Sequence, residues 1–440
     1  MFSAVVRIFR TPDLRRKIAF TLGVIAIYRL GCVIPTPFVD FANVQTCLAS
    51  SQDTAGLYQL VNLFSGGALL KLSIFALGIM PYITASIIVQ LLRVVIPHFE
   101  TLYKEGQAGQ STLTQYTRYL TIALGILQST TLITVARSGA LFGNSGSEAC
   151  SSLITDNSWY AITLMVMAMT AGTGLIMWMG ELVTERGIGN GMSIIIFTSI
   201  AAQFPSSLGA IGQSQGPEVL ILVLAIGLVI TTAVVFVEQS QRRIPVQYAK
   251  RMVGRRTYGG NNTYIPIKVN MAGVIPIIFA SSLLYLPALI AQFNQPPAGK
   301  APAPWVTWIN DTLTKGDHPL YMLLYFLLII GFTYFYVAIT FNPEEVADNM
   351  KKYGGFIPGI RAGRPTAEYL DYVLTRVTLP GSIYLGLISL IPLIAFVLIG
   401  ANQNFPFGGA SILIVVGVGL ETVKQIDSQL QQRHYEGLLK

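Results

Sequence analysis

The amino-acid sequence predicts an all-α integral membrane protein with about ten transmembrane helices. Of its 440 residues, 52% are hydrophobic and only 11% are charged, whereas a soluble domain carries roughly 25% charged residues. The apolar residues form ten runs that are long enough to cross a bilayer, and Lys and Arg are concentrated in alternate loops. Lipid is therefore the expected solvent for most of the protein surface.

The ten predicted spans are separated by polar loops of unequal length. They run approximately over 18–38, 72–97, 116–136, 158–180, 187–206, 217–238, 271–293, 319–341, 376–399 and 405–425. The fifth begins with the glycine-rich, polar stretch Gly187–Gly191. Such a backbone is tolerated in lipid only where protein covers it or where it lines a wet cavity. Small and hydroxyl residues inside many spans favour close helix packing, so we expect one bundle.

The distribution of Lys and Arg orients the bundle. Of the 29 cationic residues, 24 lie on the side of the N-terminus when span-edge residues are assigned to the nearer loop. The positive-inside rule places that side in the cytoplasm. Because an even number of spans returns the chain to the same side, we predict that both termini are cytoplasmic.

A short apolar segment follows the first span and is too short to cross the membrane. Leu57, Leu60, Val61 and Phe64 share one helical face, and a Ser-Gly-Gly sequence ends the segment. The pattern is compatible with two structures: a short helix that folds back into the bundle, or a helix that lies at the membrane interface.

A basic loop over 239–270 lies on the predicted cytoplasmic side. Its cationic residues are Arg242, Arg243, Lys250, Arg251, Arg255, Arg256 and Lys268. This density of positive charge favours binding to phosphates or to an acidic partner surface. The alternative is that these charges only set the membrane topology.

The second long loop, over 342–372, is predicted to be ordered. Asn342-Pro343-Glu344-Glu345 is typical of a helix N-terminus and predicts a helix that ends at Lys352. The Pro- and Gly-rich turn that follows presents Arg361 and Arg364 to the cytosol. Ordered loops of this kind usually carry functional residues.

The three cysteines, Cys32, Cys47 and Cys150, are too far apart for a short-range zinc or redox motif. No cluster of His, Cys, Asp and Glu predicts a metal site. Cys47 and Cys150 both fall in predicted outer loops. We expect two unpaired thiols there, with a disulfide as the alternative.

Five stretches of the sequence carry a specific resemblance to a known family. They are Asn62–Leu69 with Ser73–Ile83, Gln115–Tyr119, Glu185–Gly191, Lys268–Pro276, and Asn342 through Arg361. These stretches resemble the SecY/Sec61-alpha family, whose members form the channel of protein translocases. They occur in the family's order and at the positions that the predicted spans require.

The resemblance implies two pseudo-symmetric five-helix halves around a central pore, over 1–206 (spans one to five) and 207–440 (spans six to ten). It implies a channel subunit that translocates unfolded secretory polypeptides across the cytoplasmic membrane and releases transmembrane segments laterally into it. The short segment, at about 57–68, would be the plug of this channel. The plug residues would be Tyr58, Leu60, Val61, Asn62, Phe64, Ser65, Gly66 and Gly67.

The resemblance also implies three further groups of site residues. A narrow apolar pore ring, which resists wetting, would consist of Ile79, Ile83, Ile196, Ile278 and Ile414. A lateral gate would contain Thr84, Ser86, Gln90, Asn270, Ser281 and Ser282, although ordinary helix packing is the alternative for each residue. A surface that docks a motor or a ribosome would contain Arg242, Arg243, Lys250, Arg251, Arg255, Arg256 and Arg361.

The implied partners are the small membrane subunits SecE and SecG, the SecA motor ATPase, and a translating ribosome through its rRNA. Signal sequences, unfolded preproteins and membrane lipids complete the set. The implied location is the bacterial cytoplasmic (plasma) membrane, which the chain crosses several times. No cofactor is implied.

An ion-coupled secondary solute transporter is the alternative to this passive channel. Such a carrier usually needs ionisable groups near the bilayer midplane. The acidic residues nearest the spans are Glu181, Glu185, Glu238 and Glu421, all at predicted cytoplasmic ends. Arg29 is the one charge well inside a span, and we expect it either to snorkel outward or to pair with a backbone carbonyl.

An enzyme is a less favoured class. His98, His318 and His434 lie outside the predicted spans, and the sequence presents no recognisable pair of nucleophile and base. No glycine-rich nucleotide-binding loop is present either. We therefore expect a partner to supply the energy for transport.

Overall fold

The computed structural model describes residues 11–50, 65–137, 153–156, 158–248, 251–253, 256–258, 263–293, 303–309, 312–313, 318–399 and 409–436. Within these residues the chain forms fifteen helices and five short strands. Residue contacts divide it into two units. The first contains Met1–Gly216 and Val418–Lys440, and the second contains Pro217–Gly417.

The first unit is built from eight helices and the end of the last helix of the chain. The eight are α1 (Pro12–Gly31), α2 (Phe41–Ser50), α3 (Met80–Val95), α4 (Pro97–Lys104), α5 (Gln107–Arg137), α6 (Trp159–Arg186), α7 (Gly191–Ala201) and α8 (Phe204–Gln215). Helix α5 packs against both α3 and α6, and α6 packs against α1 and α7.

The second unit contains helices and all five strands. Its elements are α9 (Pro217–Gln239), β1 (Gln241–Tyr248), β2 (Arg251–Val253), β3 (Arg256–Tyr258), β4 (Thr263–Lys268), α10 (Ile275–Phe293), α11 (Pro304–Ile309), α12 (Pro319–Thr340), α13 (Pro343–Lys352), β5 (Gly355–Phe356), α14 (Arg364–Ile399) and the start of α15 (Gly409–Glu436). Helix α12 packs between α10 and α14.

Each of the ten predicted spans coincides with a helix. Among the described residues, six helical segments are long and apolar enough to cross a membrane, and they lie in α5, α6, α7–α8, α9, α12–α13 and α14. The bent pair formed by α3 and α4 raises this number to seven. Helices α1, α10 and α15 lie at the first, seventh and tenth predicted spans.

The second span begins later than its hydropathy indicates. The apolar run starts near residue 72, but α3 begins at Met80. Leu72 and Gly78 have φ values of 46° and 56°, which no right-handed helix accommodates. The intervening backbone is bonded across the unit instead, as where Thr36 Oγ1 donates to the Leu72 carbonyl over 2.8 Å. This part of the chain is therefore a folded turn at the entrance to α3.

The glycine-rich start of the fifth span is covered by protein. Ile188 is only 3% exposed, and its backbone N–H donates to Thr21 Oγ1 over 3.3 Å. The N–H of Gly191 donates to Thr184 Oγ1 over 2.9 Å. A Cβ atom on Gly191 would overlap the Gly180 carbonyl, so glycine permits the close packing of α6 and α7. Because protein covers this non-helical backbone, the backbone is compatible with a lipid environment.

Helix α2 is joined to the segment before α6. The Asp40 N–H donates to the Leu153 carbonyl over 3.0 Å, and the Thr155 N–H donates to the Phe38 carbonyl over 2.9 Å. Cys47 on α2 is buried and disulfide-bonded, so the expectation of an unpaired thiol at Cys47 was wrong. Cys32 carries a free, buried thiol, and Cys150 lies outside the described residues.

The two long loops of the second unit form a small sheet, which was not predicted. Strand β1 pairs antiparallel with β4 and, on its other side, with β5. Ile244 and Val246 point from β1 into an apolar core that also contains Met350 of α13 and Leu370 of α14. We call β1, β4, β5, α13 and the turn at 357–363 the basic platform.

The helix predicted after Asn342 is confirmed. Helix α13 runs over Pro343–Lys352. Asn342 Oδ1 accepts from the N–H groups of Glu344 and Glu345 over 3.1 and 3.4 Å. The side chain thereby satisfies two N–H groups that have no partner within the helix.

Candidate functional site

Three of the eight expected plug residues lie in the described part of the chain. They are Ser65, Gly66 and Gly67, whereas Tyr58, Leu60, Val61, Asn62 and Phe64 lie outside it. Ser65 is completely buried, and its Oγ accepts from the Leu69 N–H over 3.1 Å. We call the segment Ser65–Leu69 the Ser65 turn.

Helices α1 and α7 contact each other beside the Ser65 turn through a pair of hydroxyl groups. Tyr28 of α1 is completely buried, and its Oη lies 2.6 Å from Oγ of Ser199 of α7. The Ser199 hydroxyl also lies 2.9 Å from the Ile195 carbonyl, to which it can donate. A longer branch, of 3.4 Å, runs from Tyr28 Oη to the Ser65 carbonyl. This carbonyl therefore lies where α1 meets α7.

Two further side chains at the C-terminal end of α1 contact the Ser65 turn. Arg29 Nη1 donates to the Gly66 carbonyl over 3.3 Å. Cys32 Sγ lies 3.9 Å from the Ser65 carbonyl oxygen, which is the length of a weak S–H hydrogen bond. Of the two fates expected for the Arg29 charge, pairing with a backbone carbonyl is the one observed.

Gly66 and Gly67 allow the Ser65 turn to approach α1 and α7 closely. Their φ values are 69° and 86°, in the left-handed region that favours glycine. A Cβ atom on Gly66 would lie 3.1 Å from Arg29 Nη1 and 3.3 Å from Ser199 Cα. Both the backbone conformation and the space therefore select glycine at position 66.

The expected pore-ring residues are apolar and mostly buried within their own units. In the first unit, Ile79 caps the start of α3 at 1% exposure, Ile83 follows one turn later, and Ile196 lies on α7. In the second unit, Ile278 lies on α10 and Ile414 on α15, and both are buried. Four of the five are thus less than one-tenth exposed, and Ile83 is half-buried.

The expected lateral-gate residues fall on α3 and around α10. On α3, Thr84 donates to its own helix at the Met80 carbonyl over 3.0 Å. Ser86 is half-buried and Gln90 is exposed on the same helix. On α10, Ser281 likewise donates to the Ile278 carbonyl over 2.9 Å. The backbone of Ser282 lies on α10, and its side chain is outside the described part.

Asn270 has a partner within the second unit. It is 5% exposed, and its Nδ2 donates to Glu238 Oε1 over 2.6 Å and to the Gly273 carbonyl over 3.4 Å. This contact joins the end of α9 to the segment before α10. Glu238 is therefore part of a partly buried polar contact, a role that its position at the root of the 239–270 loop did not indicate.

The described docking residues lie on the basic platform and in the separate β2–β3 hairpin. Arg242 and Arg243 are exposed on β1, and the Arg243 guanidinium lies 4.8 Å from the centre of the Tyr264 ring. Arg251 and Arg256 lie in strands β2 and β3, whereas Lys250 and Arg255 lie outside the described residues. Strands β2 and β3 lie in the sequence between β1 and β4 of the platform.

Arg361 is exposed on a turn that the fold holds firmly. Thr366 Oγ1 donates to the Arg361 carbonyl over 2.8 Å. Gly359 and Gly363, on either side, have φ values of 83° and 103°. Since β5 pairs with β1 beside this turn, one sheet links both arginine-bearing loops.

Comparisons with known proteins identify the family. The SecY family model matches residues 73–423. The protein translocase subunit SecY of Streptomyces galbus is 64% identical over 447 residues, with all of both chains covered. The chain belongs to the SecY family.

Two solved structures agree with this assignment. One is a SecY protein whose plug domain is described as stabilising the closed state of the translocation channel and maintaining a membrane seal. It has a TM-score of 0.58 and 18% identity, with 94% of this chain and 91% of that chain covered. The other is the yeast Ssh1 complex bound to the 80S ribosome, with a TM-score of 0.61, 16% identity, and 93% and 89% of the chains covered. The ten-helix polytopic fold is thus confirmed.

One ion pair of this SecY-family chain was missed by sequence reasoning. Arg118 of α5 forms a bidentate contact with Glu181 of α6, with Nε–Oε1 and Nη2–Oε2 distances of 2.9 and 2.7 Å. Arg118 lies in a stretch that resembles the family, and Glu181 is an acidic residue at the end of a predicted span. Their pairing was not predictable from local patterns, because 63 positions separate them.

The same ion pair bears on the transporter alternative. Glu181 is one of the acidic residues nearest the spans, and its carboxylate is held by a guanidinium. The relatives and structures described above are translocase subunits and complexes of the SecY/Sec61 type. The solute-transporter alternative therefore finds no support among them.

Proposed function

We propose that this chain forms the protein-conducting channel of a bacterial protein translocase. In this role it passes unfolded secretory polypeptides across the cytoplasmic membrane and releases transmembrane segments laterally into lipid. The observation that carries the proposal is the 64% sequence identity with a SecY translocase subunit over the full length of both chains. A helix at each of the ten predicted spans agrees with it. Residues that resemble the family's plug, pore and docking motifs occur along nearly the whole of this length.

In this proposal, the halves of the channel are 1–206 and 207–440. Its constriction is the ring formed by Ile79, Ile83, Ile196, Ile278 and Ile414. A narrow apolar constriction resists wetting and so blocks ions. It also makes no sequence-specific contact, which suits a pore that must pass polypeptides of any sequence. The burial and apolar character of these side chains support their assignment.

The segment at about 57–68 is proposed as the plug that closes this pore at rest. Support comes from the tightly packed Ser65 turn at the end of the segment and from the plug domain described for the solved SecY protein. Thr84, Ser86, Gln90, Asn270, Ser281 and Ser282 are proposed to line the lateral gate. Polar contacts in membranes contribute about 1 kcal/mol or less each, which suits a gate that opens reversibly.

The basic platform is proposed as the docking surface for a motor or a ribosome. Exposed arginines on a rigid sheet and turn suit RNA phosphates or acidic protein surfaces. The ribosome complex of the yeast relative supports a ribosome as one partner. We further propose SecA as the motor, SecE and SecG as the small subunits, and signal sequences, preproteins and lipids as the remaining contacts.

The chain is proposed to lie in the bacterial plasma membrane with both termini in the cytoplasm. The concentration of Lys and Arg on one side of the ten spans supports this orientation. We propose a passive channel without catalysis of its own, which takes its driving energy from the motor or from the ribosome.

Reconstitution tests the proposal directly. The chain is purified with its co-purifying subunits from mild detergent and incorporated into vesicles, and SecA, ATP and an unfolded preprotein are added. We expect ATP-dependent protection of the preprotein from external protease. Vesicles that instead accumulate a small solute along an ion gradient, with no preprotein protected, would overturn the proposal in favour of a transporter.

A further inference from the structure

Arg29 places a positive charge inside the first predicted span, where charge is costly unless it finds a partner. The side chain is half-buried in the last turn of α1 and donates to the Gly66 carbonyl. Backbone carbonyls in the last turn of a helix also favour a cation. The Ser65 turn therefore supplies a partner for the Arg29 charge at the end of α1.

Tyr28 makes a second connection to the same turn. Its ring stacks on Phe75, with centroids 5.9 Å apart, and its hydroxyl is shared between Ser199 and the Ser65 carbonyl. Buried hydroxyl and carbonyl groups that lose their partner in an apolar surrounding are strongly disfavoured. Separation of α1 from α7 would remove the hydrogen bonds between these hydroxyl and carbonyl groups.

We propose that Tyr28, Arg29 and Ser199 form a clamp that holds the carbonyl groups of Ser65 and Gly66. The three side chains are positioning residues. The inference rests on the proposed function, in which the segment ending at the Ser65 turn is the plug. It adds the mechanism that fixes one end of the plug to the first and fifth spans.

The clamp makes the plug sensitive to the distance between α1 and α7. Tyr28 is on α1 and Ser199 is on α7, and the Ser65 carbonyl is held at their junction. Movement of α1 away from α7 would release this carbonyl and the Gly66 carbonyl together, because Tyr28 and Arg29 both lie on α1.

Single-channel conductance of the reconstituted complex tests the clamp. Arg29→Gln removes the charge, and Tyr28→Phe removes the hydroxyl but keeps the ring on Phe75. We expect resting openings to become about tenfold more frequent in Arg29→Gln and about threefold more frequent in Tyr28→Phe. Arg29→Lys should restore the closed state, because a lysine also donates to a carbonyl. Leu30→Ala, at an exposed neighbour, is the matched control.

The native thiol of Cys32 provides a second readout. It is 3% exposed and lies against the Ser65 carbonyl. In the folded complex, release of the clamp should accelerate alkylation of Cys32 by a membrane-permeant maleimide, measured on the Cys32 peptide by mass spectrometry. A leak in Arg29→Gln without faster alkylation of Cys32 would overturn the clamp, because the leak would then originate elsewhere.

A deletion of residues 58–64 separates failure of the clamp from failure of the plug. If the deletion leaks while Arg29→Gln and Tyr28→Phe stay closed, the clamp is wrong and the plug stands. If the deletion is also silent, the proposed plug itself fails, and the clamp fails with it. A leak in all three, with rescue by Arg29→Lys, supports both.

Discussion

The Ser65 turn and the basic platform both depart from helical structure, and they satisfy their backbone groups in opposite ways. In the Ser65 turn, carbonyl groups are contacted by side chains of distant parts of the chain, such as Tyr28 and Arg29. In the basic platform, β1 pairs with β4 and β5 through its own backbone. Lipid supplies no hydrogen bonds, so the backbone of the Ser65 turn depends on side chains. The backbone of the basic platform is satisfied by strand pairing.

This difference predicts where substitutions act. In the Ser65 turn, a single side chain such as Tyr28 contacts polar groups of two other segments. Loss of that side chain should therefore change the local structure. In the basic platform, the backbone is held by the sheet and by the Asn342 and Thr366 contacts. Substitution of its exposed arginines should therefore change binding and leave the fold intact.

The largest effect is expected at Arg361 on the platform. Arg361→Glu should reduce SecA-driven translocation by about tenfold or more, because it places a negative charge where an acidic partner or phosphate docks. The melting temperature should not change, since the Arg361 side chain is exposed. Protease protection of a preprotein in vesicles measures the loss.

Arg364→Glu is the matched control for Arg361→Glu. Its side chain is exposed at the start of α14, directly after the platform turn, and contacts Glu368 of its own helix. Equal losses in the two variants would contradict a specific dock at Arg361 and would indicate only a general effect of charge.

A several-fold effect is expected at the pore ring, which relies on apolar side chains alone. Ile278→Asn and Ile414→Asn should leak ions and accept weaker signal sequences, because a polar group wets a dry constriction. Single-channel conductance and translocation of preproteins with defective signals measure both effects. Ile278→Val and Ile414→Val keep the ring apolar and should behave as wild type, whereas silent Asn variants would remove these residues from the ring.

A smaller effect is expected from Gly66→Ala in the Ser65 turn. Alanine at a φ of 69° is destabilising by about 1 kcal/mol, and its Cβ would lie 3.1 Å from Arg29 Nη1. Thermal unfolding of the purified complex should shift downward. Gly23→Ala on α1 is the control, because a Cβ there meets nothing within 4 Å and alanine favours a helix. A stable Gly66→Ala variant would weaken the contrast between the Ser65 turn and the platform.

The smallest effect is expected at the Arg118–Glu181 ion pair, which lies in neither region. The side chains are 44% and 18% exposed, so solvent screens them, and a coupling of about 0.5–1 kcal/mol is expected. A double-mutant cycle with Arg118→Gln and Glu181→Gln measures this coupling from thermal unfolding. A coupling well above that range would indicate that the pair is a structural element comparable to the Ser65 turn.

Much of the fold was predictable because its signals are local. Long apolar runs predicted a helix at each of the ten spans, and Asn342 with the following Pro343 predicted the start of α13. The strands of the platform were missed although Ile244 and Val246 alternate with exposed residues as in a half-buried strand. The disulfide at Cys47 was only the alternative expectation, because cysteine spacing alone does not determine pairing.

The contacts at the candidate site were less predictable because they join distant positions. Tyr28 and Ser199 are 171 residues apart in sequence, and Arg29 and Gly66 are 37 apart. The sequence named Ser65, Gly66 and Gly67 through a family resemblance, and it singled out Arg29 as a charge in a span. It did not connect them.

The sequence by itself determined the membrane environment, the number of spans and the family of this protein. Solvation by lipid depends on the composition of each run of residues, and the family is carried by short motifs. Only the tertiary structure decided which polar groups meet inside the bundle. Those meetings depend on helix packing over long sequence distances, and because lipid provides no hydrogen bonds, each buried carbonyl and charge must find its partner within the protein.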